Sequence, residues 1–311
     1  MRFSFIKYFA AGIIFLAFVG GQHVVSLAQL PHLSIRDRLR LRIETGGVPL
    51  KISVGREPIY ASIVLPIFYE HRAYQPAWTN YKGPLPQVET LLRAIHKADR
   101  EGLRPGDYHL RKIEAILAEL QQSYEFRRKH NPHQIVDLDL LLTDAFLIYG
   151  SHLLYGRIHP EEIDPQWIAN RRETNLDQLL EDALESNQIE EALAGLLPAH
   201  SGYLRLRHKL AIYRNFAESK GWPTVPPGSK IRQGDRSKRI FILRHRLAAE
   251  GFLSNTGAKD LALFDNDLEQ ALINFQMQNG LETNGVLDTP TLEALNISAD
   301  QRVRQIIVNM E

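Results

Sequence analysis

The sequence contains no cysteine. That absence removes disulfides, thiolate-ligated zinc and thiolate nucleophiles together, because each needs the sulfur atom itself. A charge excess is missing too: 37 Lys and Arg stand against 36 Asp and Glu. No global field therefore points to nucleic acid or an anionic membrane surface as a partner, and any electrostatic recognition has to be local. What is present is ordinary for a folded protein: 44% hydrophobic residues over 311 positions, enough for one large or two modest domains with packed cores.

The first residues have the pattern of an export signal. Arg2 and Lys7 form a basic start, Phe9 to Val19 is an unbroken apolar stretch, and Ser26-Leu27-Ala28 supplies small residues for cleavage after Ala28. Residues 1–28 are expected to be a signal peptide, which places the mature chain in the periplasm or cell envelope. The alternative is a retained anchor, since Tyr8 to Leu30 approaches the roughly 20 apolar residues of a spanning helix. Only then would the membrane itself be a partner.

Residues 29–56 form an irregular lead-in with Arg36, Arg38, Arg40 and Arg42, whose spacing by two does not line one helical face. Helical periodicity dominates from there. Leu85, Val88, Leu91, Leu92, Ile95 and Ala98 make a stripe ended by Gly102. Similar stripes cover Leu110 to Leu120, Ile135 to Tyr155, Leu176 to Leu184, Ile189 to Leu197 and Tyr203 to Phe216, with Pro- or Gly-bearing breaks between them. Residues 57–220 thus read as a multi-helix domain. Composition changes at Gly221-Trp222-Pro223-Thr224-Val225-Pro226-Pro227-Gly228, which no helix or central strand accepts, so 221–233 is expected to be a linker. Three short helical patterns follow: Lys238 to Gly251, Phe264 to Gly280 and Thr289 to Leu295. The predicted fold is mainly α, a multi-helix scaffold followed by a small three-helix domain.

The second domain carries a resemblance. Gly234, Leu243, Leu247, Gly251-Phe252, Phe264-Asp265, Ala271-Leu272, Phe275-Gln276, Gly280-Leu281, Asn284-Gly285-Val286 and Thr291-Leu292 match the recurrent positions of the three-helix peptidoglycan-binding module of wall hydrolases and transpeptidases. Asn284 replaces the usual Asp, and Asp288 replaces a second Gly. Upstream, Glu57-Pro58-Ile59-Tyr60-Ala61, Leu65 to Glu70 and Tyr74-Gln75-Pro76-Ala77-Trp78 resemble the opening of the scaffold in large murein L,D-transpeptidases. Ala98-Asp99, Glu101-Gly102-Leu103, Gly106-Asp107-Tyr108 and Tyr155 to Pro160 extend that likeness.

Those enzymes attack the peptide stem with a Cys thiolate in a Ser-His-Gly-Cys motif, and this chain has no such motif. A hydroxyl at its ordinary pKa is a far weaker nucleophile. The resemblance therefore implies a peptidoglycan-binding scaffold without catalytic residues, cofactor or metal, engaging another envelope protein through its helical domain. The alternative is a truncated or split L,D-transpeptidase whose catalytic domain is encoded separately.

Candidate ligand contacts are Arg239, Arg244, Phe264, Asp265 and Asn284. The arginines belong to a basic cluster with Lys230, Arg232, Arg236, Lys238 and Arg246, and arginine forms paired hydrogen bonds with carboxylates. His152 with His159 and Asp164, or His130 with His133, lack the spacing of a helical zinc site. Glu185-Ser186 has no supporting signature of a lytic glycosidase. Tyr69, Tyr74, Trp78 and Tyr81 are read as core rather than sugar-stacking residues, with Leu65, Phe68 and Tyr69 on one buried helical face. The tail from Ser298 to Glu311 carries Val303, Ile306, Ile307 and Met310 at helical spacing. This stripe is expected either to fold back on the scaffold or to stay exposed for a partner chain.

Overall fold

A computed structural model describes residues 33–80, 83–125, 131–158, 173–219, 221–254 and 260–311. The expected signal segment 1–28, together with Tyr81, His130, His159, Pro160, Asp164 and Pro165, lies outside the described residues. The architecture is mainly α, as the periodicity predicts. Among the described residues no helix is long and apolar enough to cross a membrane.

The scaffold begins with α1 (Ile35–Glu44), whose start is fixed by a reciprocal capping box between Ser34 and Asp37. A two-residue hairpin, β1 (Ser53–Val54) with β2 (Glu57–Pro58), leads to α2 (Val64–His71). A second small hairpin, β3 (Thr79–Asn80) with β4 (Gly83–Pro84), precedes α3 (Gln87–His96). After two 3₁₀ turns come α4 (Leu110–Glu125), α5 (Pro132–Tyr155), α6 (Leu176–Ser186), α7 (Ile189–Gly195) and α8 (Ser201–Glu218).

Helix α5 is the axis of this domain and packs against α1, α2, α3, α4 and α6. Every residue from Leu138 to Leu147 is buried, so the helix turns no face to water. Within that run stand two fully buried carboxylates, Asp139 and Asp144. Both collect donors from irregular backbone, which must be partnered once buried. Asp139 accepts the amides of Ala77 (2.8 Å) and Trp78 (3.0 Å) and the hydroxyls of Tyr69 (2.7 Å) and Thr79 (2.9 Å). Burial pushes its pKa up, while these four hydrogen bonds favour the ionised form and oppose the rise. Asp144 accepts the amides of Ala61 (2.6 Å) and Tyr60 (3.0 Å) and pairs with His109 Nε2 at 2.7 Å. Tyr69 and Trp78 are fully buried, in agreement with their reading as core, and Leu65 and Phe68 share that burial.

The second domain holds a separate apolar core around Leu243, Leu247, Phe264, Leu268, Leu272 and Phe275. Its helices are α9 (Lys238–Ala249), α10 (Asn266–Gln278) and α11 (Thr289–Leu295), tied by backbone bridges between Ile231 and Leu287 and between Arg236 and Leu263. The segment expected as a linker is strapped to this core: Val225 is fully buried, and the Asn296 side chain exchanges 2.9 Å hydrogen bonds with both its amide and its carbonyl. Extended prolines suit such a strap, because it requires few of its own N–H groups.

A last helix, α12 (Ala299–Met310), resolves the two expectations for the tail: it packs alongside α8. Val303, Ile306, Ile307 and Met310 are half-buried there. Gly102, with φ +79°, lets the Ile307 side chain approach closely; a Cβ at that position would stand 3.4 Å from it. At the end of the helix Glu311 Oε2 accepts the Arg157 amide at 2.6 Å.

Candidate functional site

The feature that organises the small domain is Gln276, a fully buried amide on α10. Its Oε1 accepts the Gly285 amide at 3.0 Å, while Nε2 lies within 3.1 Å of Asn284 Oδ1, the Val286 carbonyl and Thr291 Oγ1. One side chain thereby fixes the Asn284-Gly285-Val286 turn. Gly285 has φ +66°, and a Cβ there would come within 2.9 Å of Glu269 Cγ. The two departures from the family pattern are accommodated. Asn284 Oδ1 accepts the Val286 amide at 2.9 Å, a turn an amide builds as well as a carboxylate does. Asp288, at φ −95°, needs no glycine and instead caps α11 by accepting the Thr291 amide at 3.0 Å; the Thr291 hydroxyl first and this amide second hold its carboxyl below the ordinary value.

The five candidate ligand residues occupy structural positions. Phe264 is fully buried in the core. Asp265 caps α10 through Leu268 N (3.0 Å), and its other oxygen meets Arg244 at 2.6 Å, so the structure brings these two candidates together. Arg244 also donates to the Leu263 carbonyl at 2.8 Å. Arg239 donates to the carbonyls of Pro226 and Ser229, each at 2.8 Å, and thereby clamps the strap. Asn284 serves the turn just described. Arg246, from the same basic cluster, is fully buried: it donates to the Leu295 carbonyl at 2.7 Å, pairs with Glu250 and stacks over Trp222 at 4.0 Å. Desolvation draws its pKa down, against the attraction of Glu250.

The surface that remains open was not picked out from the sequence. Phe241, 44% exposed on α9, is stacked edge to face with His245 at a ring separation of 4.4 Å. Both are exposed, as is Lys238 one turn before. A signal for it existed: Phe241 falls out of phase with the Ile240, Leu243, Leu247 stripe, so helical spacing alone turns it outward.

The remaining candidates stay apart. His152 Nδ1 meets the Tyr108 hydroxyl at 3.0 Å, Tyr74 is half-buried, and Ser186 bonds back to the Asp182 carbonyl beside an exposed Glu185. Among the described residues no group of three or more His, Cys, Asp or Glu is arranged to hold a metal ion.

Two families match the chain, in the order read from the sequence. The family described as Scaffold domain matches residues 64–210, and that described as peptidoglycan binding domain matches residues 236–295. No catalytic domain is detected. No curated protein matched.

Proposed function

With a scaffold domain leading into a peptidoglycan-binding domain, we propose that the chain is a non-catalytic wall-binding protein of the bacterial envelope. Residues 236–295 attach it to peptidoglycan, and the helical domain docks another envelope protein. The match of residues 236–295 to the peptidoglycan binding domain carries this reading. Phe241, His245 and Lys238 supply the open contact surface: an aromatic face with a cation beside it, suited to an acidic, sugar-bearing polymer. The export pattern of residues 1–28 supports the location. The order of the two domains also supports a second reading, an L,D-transpeptidase whose cysteine-bearing domain is supplied separately. Reading the nucleotides downstream of the Glu311 codon separates the two.

Co-sedimentation of the purified chain with isolated sacculi tests the first reading. The wild type should pellet with sacculi, and Phe241→Ala should weaken retention about tenfold with an unchanged melting curve, as expected for an exposed aromatic anchor. A chain that stays in the supernatant would sink the proposal. Release of muropeptides during the incubation would contradict its non-catalytic part.

A further inference from the structure

On the scaffold, away from the surface just described, lies an open pocket of about 390 Å³ lined by Glu57, Tyr60, Asp107, His109, His152 and Arg157, among others. That volume is within the range of small-molecule sites. Its floor is built with care from buried charge. Asp144, at the centre of the scaffold, holds the Tyr60 and Ala61 amides with one carboxylate and His109 Nε2 at 2.7 Å with the same group. His109 Nδ1 faces Glu57 Oε2 at 3.1 Å. His109 is itself buried and has φ +56°, a conformation uncommon outside glycine and often found at functional sites. Desolvation works against its charge, but the hydrogen bonds to Asp144 and Glu57 outweigh it and raise the pKa.

This foundation fixes an exposed ring. Tyr60 lies nearly parallel to the His109 imidazole, at 11° and 5.7 Å between centroids, yet is 57% exposed. One face is supported by the imidazole, which leaves the rest of the ring for contact. At the rim Arg157 Nη2 stands 3.2 Å from Asp107 Oδ2, and that oxygen receives no hydrogen bond. Arg157 is exposed, so its guanidinium stands at the mouth of the pocket.

A supported aromatic platform, with the Glu57 and Asp107 carboxylates and the Arg157 guanidinium around it, offers acceptors and donors together and suits a neutral ring rich in hydroxyl and amide groups. A free anion or cation would meet like charge on one side. We propose that this pocket is a sugar-binding subsite of the scaffold, in which an N-acetylated pyranose stacks on Tyr60 and hydrogen-bonds Glu57 and Arg157. The choice of an amino sugar rests on the peptidoglycan-binding reading; the pocket chemistry itself does not. The scaffold then holds the glycan strand while the second domain grips the wall separately.

The probe is a soluble N-acetylglucosamine tetramer, which carries no peptide, titrated into the full chain and followed by calorimetry and by the His109 ring signals. Binding with a shift of those signals is expected. Tyr60→Ala should weaken it about tenfold, whereas Tyr60→Phe, which keeps the ring, should stay near wild type. Equal affinity of wild type and Tyr60→Ala, or no binding at millimolar sugar, would overturn the subsite. Binding of a peptide stem in place of the tetramer would do the same. Because the tetramer is read independently of sacculi, loss of wall retention with an intact titration would strike the wall-binding proposal and spare the pocket.

Discussion

The two domains solve one problem with opposite charges. Each has to bury irregular backbone against helices, and buried N–H and C=O groups must find partners. At its centre the scaffold uses acceptors: Asp139 and Asp144, in the buried stretch of α5, gather the amides of residues 60–61 and 77–78. The peptidoglycan-binding domain uses donors: Arg239, Arg244 and Arg246 gather the carbonyls of Pro226, Ser229, Leu263 and Leu295. The neutral amides Gln276 and Asn296 do both, each where a backbone amide and a carbonyl are presented together. A carboxylate loses its charge in acid, and a guanidinium keeps its charge throughout. The difference therefore predicts unequal sensitivity to mutation and to pH.

The sharpest way to break the comparison is Asp139→Ala. It leaves two amides and the Thr79 hydroxyl buried without that acceptor, and Tyr69 with only Thr143 Oγ1 at 2.9 Å. A loss of about 4 kcal/mol is expected in urea denaturation of the full chain. It should be confined to the scaffold, as read by hydrogen exchange of α2 and α5. A loss below about 1 kcal/mol would mean that the carboxylate is dispensable to the fold. Gly285→Ala should cost less, about 1–2 kcal/mol, because it strains one left-handed turn and presses on the flexible Glu269 side chain. Its effect belongs to the second domain, and exchange protection of α10 and α11 should fall while that of α5 holds.

The smallest expected effect is the one with pH, and its sign differs between the domains. His109 is raised above 6.5 in the fold, so its contribution to stability is fully present below pH 6.5 and is lost as pH rises through the raised value. Asp139, raised above 3.8 chiefly by burial, acts in the same direction. Asp288 is held below 3.8, so its contribution is present above pH 3.8 and is lost as pH falls through the lowered value. Hydrogen exchange across a pH series should show the scaffold loosening on the alkaline flank and the second domain on the acid flank. Scaffold loosening on the acid flank alone would contradict the assignment to His109.

How much of this was legible follows from where polarity points. Apolar periodicity marked the amphipathic helices well, because α3, α4, α6 and α10 each turn one face to water. It could not mark the role of α5, buried on every side from Leu138 to Leu147, and nothing in a one-dimensional pattern separates Asp139 from a solvated acid. The cations pose the same problem: a guanidinium advertises donors, and the sequence does not show that Arg239 meets the proline strap or Arg244 the capping Asp265. Phe264 was drawn from a family motif and is core. Phe241 and His245, by contrast, face outward on helical phase alone.

The closing of α12 onto α8 has a mechanical side. The domain that would grip the wall is joined to the scaffold at two places: through Trp222, whose indole N–H meets the Ile297 carbonyl at 3.2 Å, and through α12, which runs back along α8 to Arg157. Tyr213 on α8 braces the space between them by donating to Glu250 at 2.7 Å. If the second domain is held by the wall, a load would pass into a fork and not a string, and a pull along one arm would meet shear along the other.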